Sequence, residues 1–278
     1  MTSSMPVQLG PVQETLLIPL LGRAEETKRR GVINDPRAVE IVERLDYDFS
    51  KWSGMSTLRG ASIRTRMFDD FVRAFLSKHP HGTVVEIGAG LNTRYERLDN
   101  GRAQWVELDL PDSMALRRAF FEDTDQRIMI DGSFTETDWH DVVAARPGPY
   151  CFVSEAVIIY LDEAKALRGL KTLAERFPGS TLAMDTTSSR MVERQKHHEA
   201  MKLMSMDSWF RWRCDDPASL EGQGLHLEES LTFMDASPEL LRAMPASIRW
   251  MRRLVPWLLE WQIRGYRLNR FTLQSPVA

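Results

Sequence analysis

The sequence predicts a doubly wound α/β fold, a Rossmann-like parallel sheet with helical elements added before and after it. Three observations lead there. From Thr83 onward, short apolar runs (TVVEIG, AQWVELD, RIMID, YCFVSEA, STLAMDT) alternate with stretches of helical period (DSMALRRAFFED, DEAKALRGLKTLAERF). Near-continuous apolar strands joined by helical crossovers indicate a parallel sheet covered on both faces. The first strand breaks on two glycines, Gly88 and Gly90, and the second ends on an acid, Asp109. A glycine turn followed by an acid roughly 20 residues on is how such sheets build a nucleotide-type site.

Before the sheet, PVQETLLIPLLGRAEETKRR carries apolar residues at helical spacing with a break near Pro19. A second helix is predicted from Pro36 to Leu45, with Asp35 as its N-cap and proline in its first turn. SKWSG reads as a loop, and Ile63 to Ser77 as an amphipathic helix with Ile63, Met67, Phe71 and Phe75 on one face. After the fifth strand, Met191 to Asp216 reads as a long, basic, methionine- and tryptophan-rich helical segment. HLEESLTF and YRLNRFTL are strand candidates that flank a helical stretch, Pro238 to Glu260, and pair as a hairpin-like edge. The chain is thus expected to be one domain over 1–278. It comprises a helical segment 1–78, a core sheet from 83, and a cap at about 188–222 over the strand ends.

Composition narrows the function. The 36 basic and 39 acidic side chains leave a net charge of −3, which gives no electrostatic case for nucleic acid. TLLIPLLG is too short to span a bilayer and lacks a basic leader, so the expectation is a cytoplasmic protein. The two cysteines, Cys151 and Cys214, sit in unlike surroundings and read as reduced thiols. Six histidines without ligand spacing give a metal site little support. A homodimer is left open.

The glycine loop reads GAGLNT, with Thr93 where a full dinucleotide fingerprint has its third glycine. That departure disfavours close packing around a pyrophosphate, and with it a nicotinamide-dependent dehydrogenase. An adenosine cofactor without phosphates, S-adenosylmethionine, remains. Glu86, Asp109, Asp131 and Glu155 lie at or near the ends of four successive strands, where open sheets bind ligands. Asp109 is suited to the ribose hydroxyls and Asp131 to the adenine side, with Leu110, Gly132 and Ser133 as their neighbours.

RTRMFDD at 64–70, VVEIGAGLNTRYERL at 84–98, WVELDLP at 105–111, Asp131 with its trailing tryptophan and SEAVIIYL at 154–161 together resemble the leucine carboxyl methyltransferase family. Within it the chain is similar to the small-molecule branch of tetracenomycin-type polyketide O-methyltransferases. The resemblance implies methyl transfer from S-adenosylmethionine to oxygen, commonly that of a carboxylate, leaving S-adenosylhomocysteine. It places the methionine-carboxylate arginine on Arg64, the glycine turn on Gly88 and Gly90, the ribose acid on Asp109, the adenine-side acid on Asp131 and the fourth-strand acid on Glu155. Asn92 stands where the family usually has aspartate.

Other readings stand beside these. Arg64 is otherwise a solvated helix arginine, and Arg66 competes for its role; a guanidinium suits the bidentate carboxylate partner a cofactor tail needs. Tyr160 is a candidate at the cleft, with packing beneath it as the alternative. His197 and His198 do not face the same way on a helix, and His197 stands as a candidate for substrate contact. No His–acid pair is evident, which favours an acceptor already ionised at neutral pH, a carboxylate on an aromatic or polyketide-like acid giving a methyl ester. Within SWFRWRC, Arg211 and Arg213 are the candidates to hold that acid. WMRRLVPWLLEW reads as a helix that packs its tryptophans inward. Phenol methylation, methylation of a protein carboxyl terminus and a non-catalytic scaffold role are the competing functions.

Overall fold

The computed structural model describes residues 5–7, 9–244, 246–254 and 265–275. A two-residue strand β1 (Met5–Pro6) is followed by α1 (Leu17–Lys28) and α2 (Pro36–Arg44), then β2 (Leu45–Asp46), which pairs with β1, and the long helix α3 (Ser56–Lys78). The sheet region runs β3 (Thr83–Ile87), α4 (Arg94–Leu98), β4 (Gln104–Asp109), α5 (Pro111–Arg118), β5 (Arg127–Asp131), α6 (Asp138–Ala144), β6 (Tyr150–Ser154), α7 (Glu163–Arg176) and β7 (Thr181–Thr187). The chain ends with α8 (Ser189–Arg194), β8 (Leu225–Leu231), α9 (Pro238–Ala243), α10 (Ala246–Leu254) and β9 (Tyr266–Leu273).

Sheet order is β5-β4-β3-β6-β7-β9-β8, with the first five strands parallel and β9 antiparallel to both of its neighbours. The strand order reverses between β3 and β6, so the crevice for a ligand opens where Gly88 and Glu155 follow those two strands. Alternation along the strands feeds two hydrophobic layers. Val85, Ile87 and Phe152 face α6 and α7 through Trp139, Leu170 and Leu173, while Val84, Cys151 and Val153 face Met67, Phe71 and Phe75 of α3. The N-terminal helices form a third cluster with Leu17, Leu20, Ile41 and Trp52.

The predicted strands are all present, as is the β8–β9 hairpin edge. Asp35 caps α2 by accepting the Ala38 N–H at 3.0 Å. Near Pro19 the break is a change from a 3-10 turn at Gln13–Leu16 to α-helix; Pro19 then falls in the first helical turn, where its missing N–H costs nothing. Helix α3 begins at Ser56, earlier than predicted, and α5 stops at Arg118 so that Phe120 and Phe121 enter the third cluster.

The long helix expected from Met191 to Asp216 does not form. After α8 come 3-10 turns at Gln195–His197, Met201–Leu203 and Met206–Ser208, then an extended stretch. Its backbone groups find tertiary partners instead. The Gln195 amide brackets Phe210 at 2.7 and 2.9 Å, and the Arg211 and Trp212 N–H groups donate to the Ile159 carbonyl. Trp250 on α10 is exposed rather than packed inward, and Trp257 and Trp261 lie outside the described residues. Both thiols are free and buried. Among the described residues no helix is long and apolar enough to cross a membrane.

A buried ion network fastens the N-terminal helices to the sheet. Arg94 donates to Asp69 of α3 at 2.9 Å, to Glu86 of β3, and to Glu155 after β6 at 2.6 Å. Arg97 forks onto both Asp69 oxygens at 2.9 Å and reaches Asp35, which also takes Arg23 of α1 at 2.8 Å. Burial by itself would raise the Asp69 carboxyl, yet Arg97 and Arg94 hold it down to about 2.

Two outcomes follow from this network. Arg94→Met should lower the free energy of urea unfolding by about 3–5 kcal/mol, the scale for stranding buried charges; a loss under about 1 kcal/mol would refute the central role of that guanidinium. Because the folded value of Asp69 lies below its ordinary one, its stabilisation is complete above about pH 4 and disappears as pH falls toward 2. The acid limb of a stability–pH curve should therefore be shallower in Asp69→Asn than in the parent.

Candidate active site

At the ends of β3, β4, β5 and β6 the structure forms a cavity of about 460 Å³. Its floor is the glycine loop. Gly88 and Gly90 have φ of +71° and +46°, a region that side chains rarely enter, and a Cβ on Gly88 would meet Val157 at 2.2 Å. The loop is fixed from below: Arg117, itself paired with Glu107, donates to the Gly90 and Asn92 carbonyls at 2.9 and 2.7 Å, and Arg23 donates to the Leu91 carbonyl. Backbone approach to a ligand is thus open along Gly88–Asn92, all of which line the cavity.

Asp109 accepts the Gly90 N–H at 2.6 Å and the Leu110 N–H at 2.7 Å, one on each oxygen. Burial raises its carboxyl, and those two N–H groups oppose the rise. Each oxygen retains acceptor capacity, which matches a pair of vicinal hydroxyls. Leu110, Gly132, Ser133 and Phe134 continue the wall. This combination of an open glycine cradle, a strand-end carboxylate and apolar walls fits an adenosine group.

Arg64 and Glu155 meet across the cavity. The Arg64 Nε donates to Glu155 at 2.9 Å, and Thr65 donates to the same oxygen at 2.7 Å. Burial disfavours the Glu155 carboxylate, but Arg64 and Arg94 hold its carboxyl below the usual range. Arg64 also donates to the Tyr266 hydroxyl at 3.3 Å, and that hydroxyl donates to Asp185. Burial pushes the Asp185 carboxyl up to about 6 against the pull of Arg64, and its Oδ1 is buried without a partner. Tyr266 lines the cavity and neither it nor Asp185 is legible as a site residue from sequence, because β7 and β9 read as ordinary strands and only their pairing brings the two side chains together.

Several expected residues stand elsewhere. Glu86 is bound to Arg94 and does not line the cavity. Asp131 is exposed at its strand end and paired with Arg118 at 2.5 Å, leaving the wall to Gly132 and Ser133. Arg66 pairs with Asp70 and Glu239, away from the cavity. Arg211 and Arg213 are exposed and face Asp162 and Glu193, each at 3.7 Å. The reason is backbone geometry: 209–213 is extended, so period-two alternation turns Phe210 and Trp212 inward and both arginines outward. Tyr160 does line the cavity, tilted against Phe210 at 5.3 Å between centroids, and burial raises its phenol. His197 is exposed; His198 is the one that reaches the cavity. Asn92 accepts from Arg97 at 3.3 Å and lines the floor.

Gln13, Thr15 and Leu16 complete the cavity from the N-terminal side, and Met191, Met201 and Phe210 from the segment after β7. The two sides are tied where Ser208 donates to the Pro11 carbonyl at 2.6 Å. Among the described residues no group of three or more histidine, cysteine or acidic side chains is placed to hold a metal ion.

Comparison with known proteins agrees with this architecture. The family model of leucine carboxyl methyltransferase matches residues 17–174. The tetracenomycin polyketide synthesis O-methyltransferase of Streptomyces glaucescens is 31% identical over 275 residues, covering 96% of this chain and 98% of that protein. An S-adenosyl-L-methionine-dependent methyltransferase of Gibberella zeae is 27% identical over 242 residues, 77% of this chain and 79% of its own. Among solved structures, a putative methyltransferase from Thermobifida fusca superposes with a TM-score of 0.57 at 16% identity, covering 91% of this chain and 94% of that one. A DUF574 family protein from Streptomyces avermitilis does so at 0.56 and 12%, covering 91% and 96%. Those two likenesses speak for the fold. With the matched segment carrying the glycine loop, Asp109, Arg64 and Glu155, the chain belongs to the leucine carboxyl methyltransferase family and is an S-adenosylmethionine-dependent methyltransferase.

Proposed function

We propose that the protein methylates a hydroxyl oxygen of a small, planar, polyketide-like aromatic molecule. One observation carries the choice of acceptor. Among the described residues lining the cavity the only arginines or lysines are Arg23 and Arg64; Arg23 is engaged by Asp35, and Arg64 by Glu155 and, in this reading, by the cofactor's methionine carboxylate. A carboxylate acceptor would enter without an uncommitted cationic side chain to meet it, and desolvating a carboxylate is costly. A neutral hydroxyl carries no such penalty. With Arg211 and Arg213 turned outward, the case for a carboxylate loses the side chains it rested on. Phe134, Tyr160, Phe210, Phe233 and Tyr266 supply the aromatic wall that a flat substrate favours. The relative from Streptomyces glaucescens is named for O-methylation in tetracenomycin polyketide synthesis, which supports the same substrate class.

Bound S-adenosylmethionine supplies an electrophilic methyl group on a sulfonium. The chain contributes placement and exclusion of water. In this reading Asp109 receives the ribose hydroxyls, with the Gly88–Asn92 backbone beneath the ligand. Arg64, oriented by Glu155 and Tyr266, takes the methionine carboxylate, and Gly132 and Ser133 border the adenine. Apolar walls from both ends of the chain then close over the acceptor.

Two measurements test these roles. Calorimetric titration with S-adenosylhomocysteine should show Asp109→Ala weakened by about 1–3 kcal/mol, the scale for unmatched hydrogen-bonding groups. Arg64→Lys should also bind less well, because lysine lacks the planar fork; parent-like affinity in both variants would refute the assigned positions. Product chemistry decides the acceptor. Radiolabelled methyl donor offered with paired polycyclic phenols and carboxylic acids should yield a base-stable aryl ether, whereas a base-labile ester as the sole product would overturn the hydroxyl reading.

A further inference from the structure

We infer that Asp185, acting through the Tyr266 hydroxyl, is a positioning residue for the amino-acid tail of the cofactor: the pair turns Arg64 so that its Nη2 meets the tail's carboxylate. The inference rests on the assignment of that carboxylate to Arg64 and is independent of which oxygen receives the methyl group. Arg64 is held at two points. Its Nε donates to Glu155 at 2.9 Å and its Nη1 to the Tyr266 hydroxyl at 3.3 Å, while Nη2 has no hydrogen-bond partner among the described residues. A planar guanidinium fixed at two nitrogens presents the third in one direction. Glu155 supplies the first point and is itself shared with Thr65 and Arg94. The second depends on which way the Tyr266 O–H points, because a hydroxyl has one proton and must turn a lone pair to Arg64. Asp185 decides this by accepting that proton.

The placement follows from the sheet. Tyr266 stands opposite Thr187 in the β7–β9 pair, and Asp185 lies two residues along the same face of β7, within diagonal reach of an aromatic side chain. Phe233 stacks on the Tyr266 ring at 5.9 Å between centroids, and both rings line the cavity. Asp185 is fully buried behind them. It accepts from the Ala156 N–H at 2.8 Å as well as from Tyr266, both on Oδ2; its Oδ1 has no partner, and among the described residues it makes no ion pair. An asparagine would satisfy both donors without burying a charge, so a carboxylate is a costly choice for packing alone. An anion, however, is the stronger acceptor and fixes the direction of the Tyr266 proton more firmly. Burial pushes the Asp185 carboxyl up to about 6 against the pull of Arg64. The charged and titratable groups that face it are Arg64 from α3, Glu155 and Tyr160 after β6, and Tyr266 from β9. Glu155 is held below the usual range and both phenols are raised. Asp185 is therefore the one of these groups that changes charge between about pH 5.5 and 7.5. The hold on the tail is complete above that window and weakens as pH falls through about 6.

The test uses the full-length protein and two ligands: S-adenosylhomocysteine, and 5′-methylthioadenosine, which has the same adenine, ribose and thioether but no amino-acid tail. Calorimetric titration with both, at the two ends of that pH window, gives the ratio of their affinities. The ratio cancels effects on folding and on the adenosine site, so a merely structural role for Asp185 would not move it. In the parent it should fall on acidification by about 2–10-fold in favour of the tailless ligand, the scale of one hydrogen bond. Asp185→Asn is neutral at every pH. It should show at the higher pH the ratio that the parent reaches only at the lower one, with no further change on acidification. Tyr266→Phe should lower the ratio to a similar degree and abolish its pH dependence. Arg64→Lys is the reference for the tail site and should lower the ratio as well. If it does so while the parent's ratio is flat with pH, or while Asp185→Asn and Tyr266→Phe keep the parent's ratio, the positioning role of Asp185 is overturned and the Arg64 assignment stands. An unchanged ratio in Arg64→Lys would overturn the assignment of the tail to Arg64 and this inference with it.

Discussion

The guanidinium of Arg94 is the point on which the rest of the structure hangs. It stands one residue beyond the glycine loop, fully buried, and holds carboxylates from α3, from β3 and from the turn after β6. Removing three acids from water is unfavourable unless each finds a charged partner with good geometry. One planar fork does that for all three. The helical layer, the first strand of the sheet and the wall of the cavity are thereby referenced to a single group. Arg97, Arg23 and Arg64 carry the same scheme outward, so four arginines face Asp35, Asp69, Glu86 and Glu155. The glycine loop sits in the middle of this lattice of charges, and its shape is set before any ligand arrives.

Much of this was legible in the sequence, for physical reasons that differ by element. Strands β3 to β7 were readable because a parallel sheet buried on both faces demands continuous apolar runs, and Asp35–Pro36 announced α2 because an aspartate cap before proline has few other uses. Gly88, Gly90 and Asp109 were found by spacing alone. The segment from 191 to 216 was not readable. Its apolar residues satisfy a helical count, but its backbone is satisfied by Ile159, Gln195 and Thr187, contacts that no local pattern encodes. Every misplaced side chain there follows from that one difference: WFRWRC alternates with period two, and reading it so would have turned Arg211 and Arg213 outward.

The acids show a second limit of the sequence. Glu86, Asp131 and Glu155 all lie at strand ends, yet only Glu155 lines the cavity. Position along a strand is written in the chain; the identity of a counter-ion is not. Arg118 claims Asp131 and Arg94 claims Glu86. Tyr266 and Asp185 were invisible for a related reason, since β9 meets β7 only after the chain has passed through α8, β8, α9 and α10.

The charge lattice has a consequence for synthesis on the ribosome. Arg23, Asp35, Arg64 and Asp69 emerge well before Arg94 and Arg97, and Glu155 emerges last of all. Arg23–Asp35 and Glu26–Arg59 can join α1 to α2 and α3 early. Until Arg94, Arg97 and Glu155 exist, however, Arg64 and Asp69 are better solvated than buried, and α3 has no charged anchor on the sheet. Segments that lead in sequence thus wait for segments that follow, which is the opposite of N-terminal-first domain assembly. The helical layer therefore lacks its charged connection to the sheet until the turn after β6 clears the exit tunnel, and that connection and the wall of the cofactor cleft are completed together.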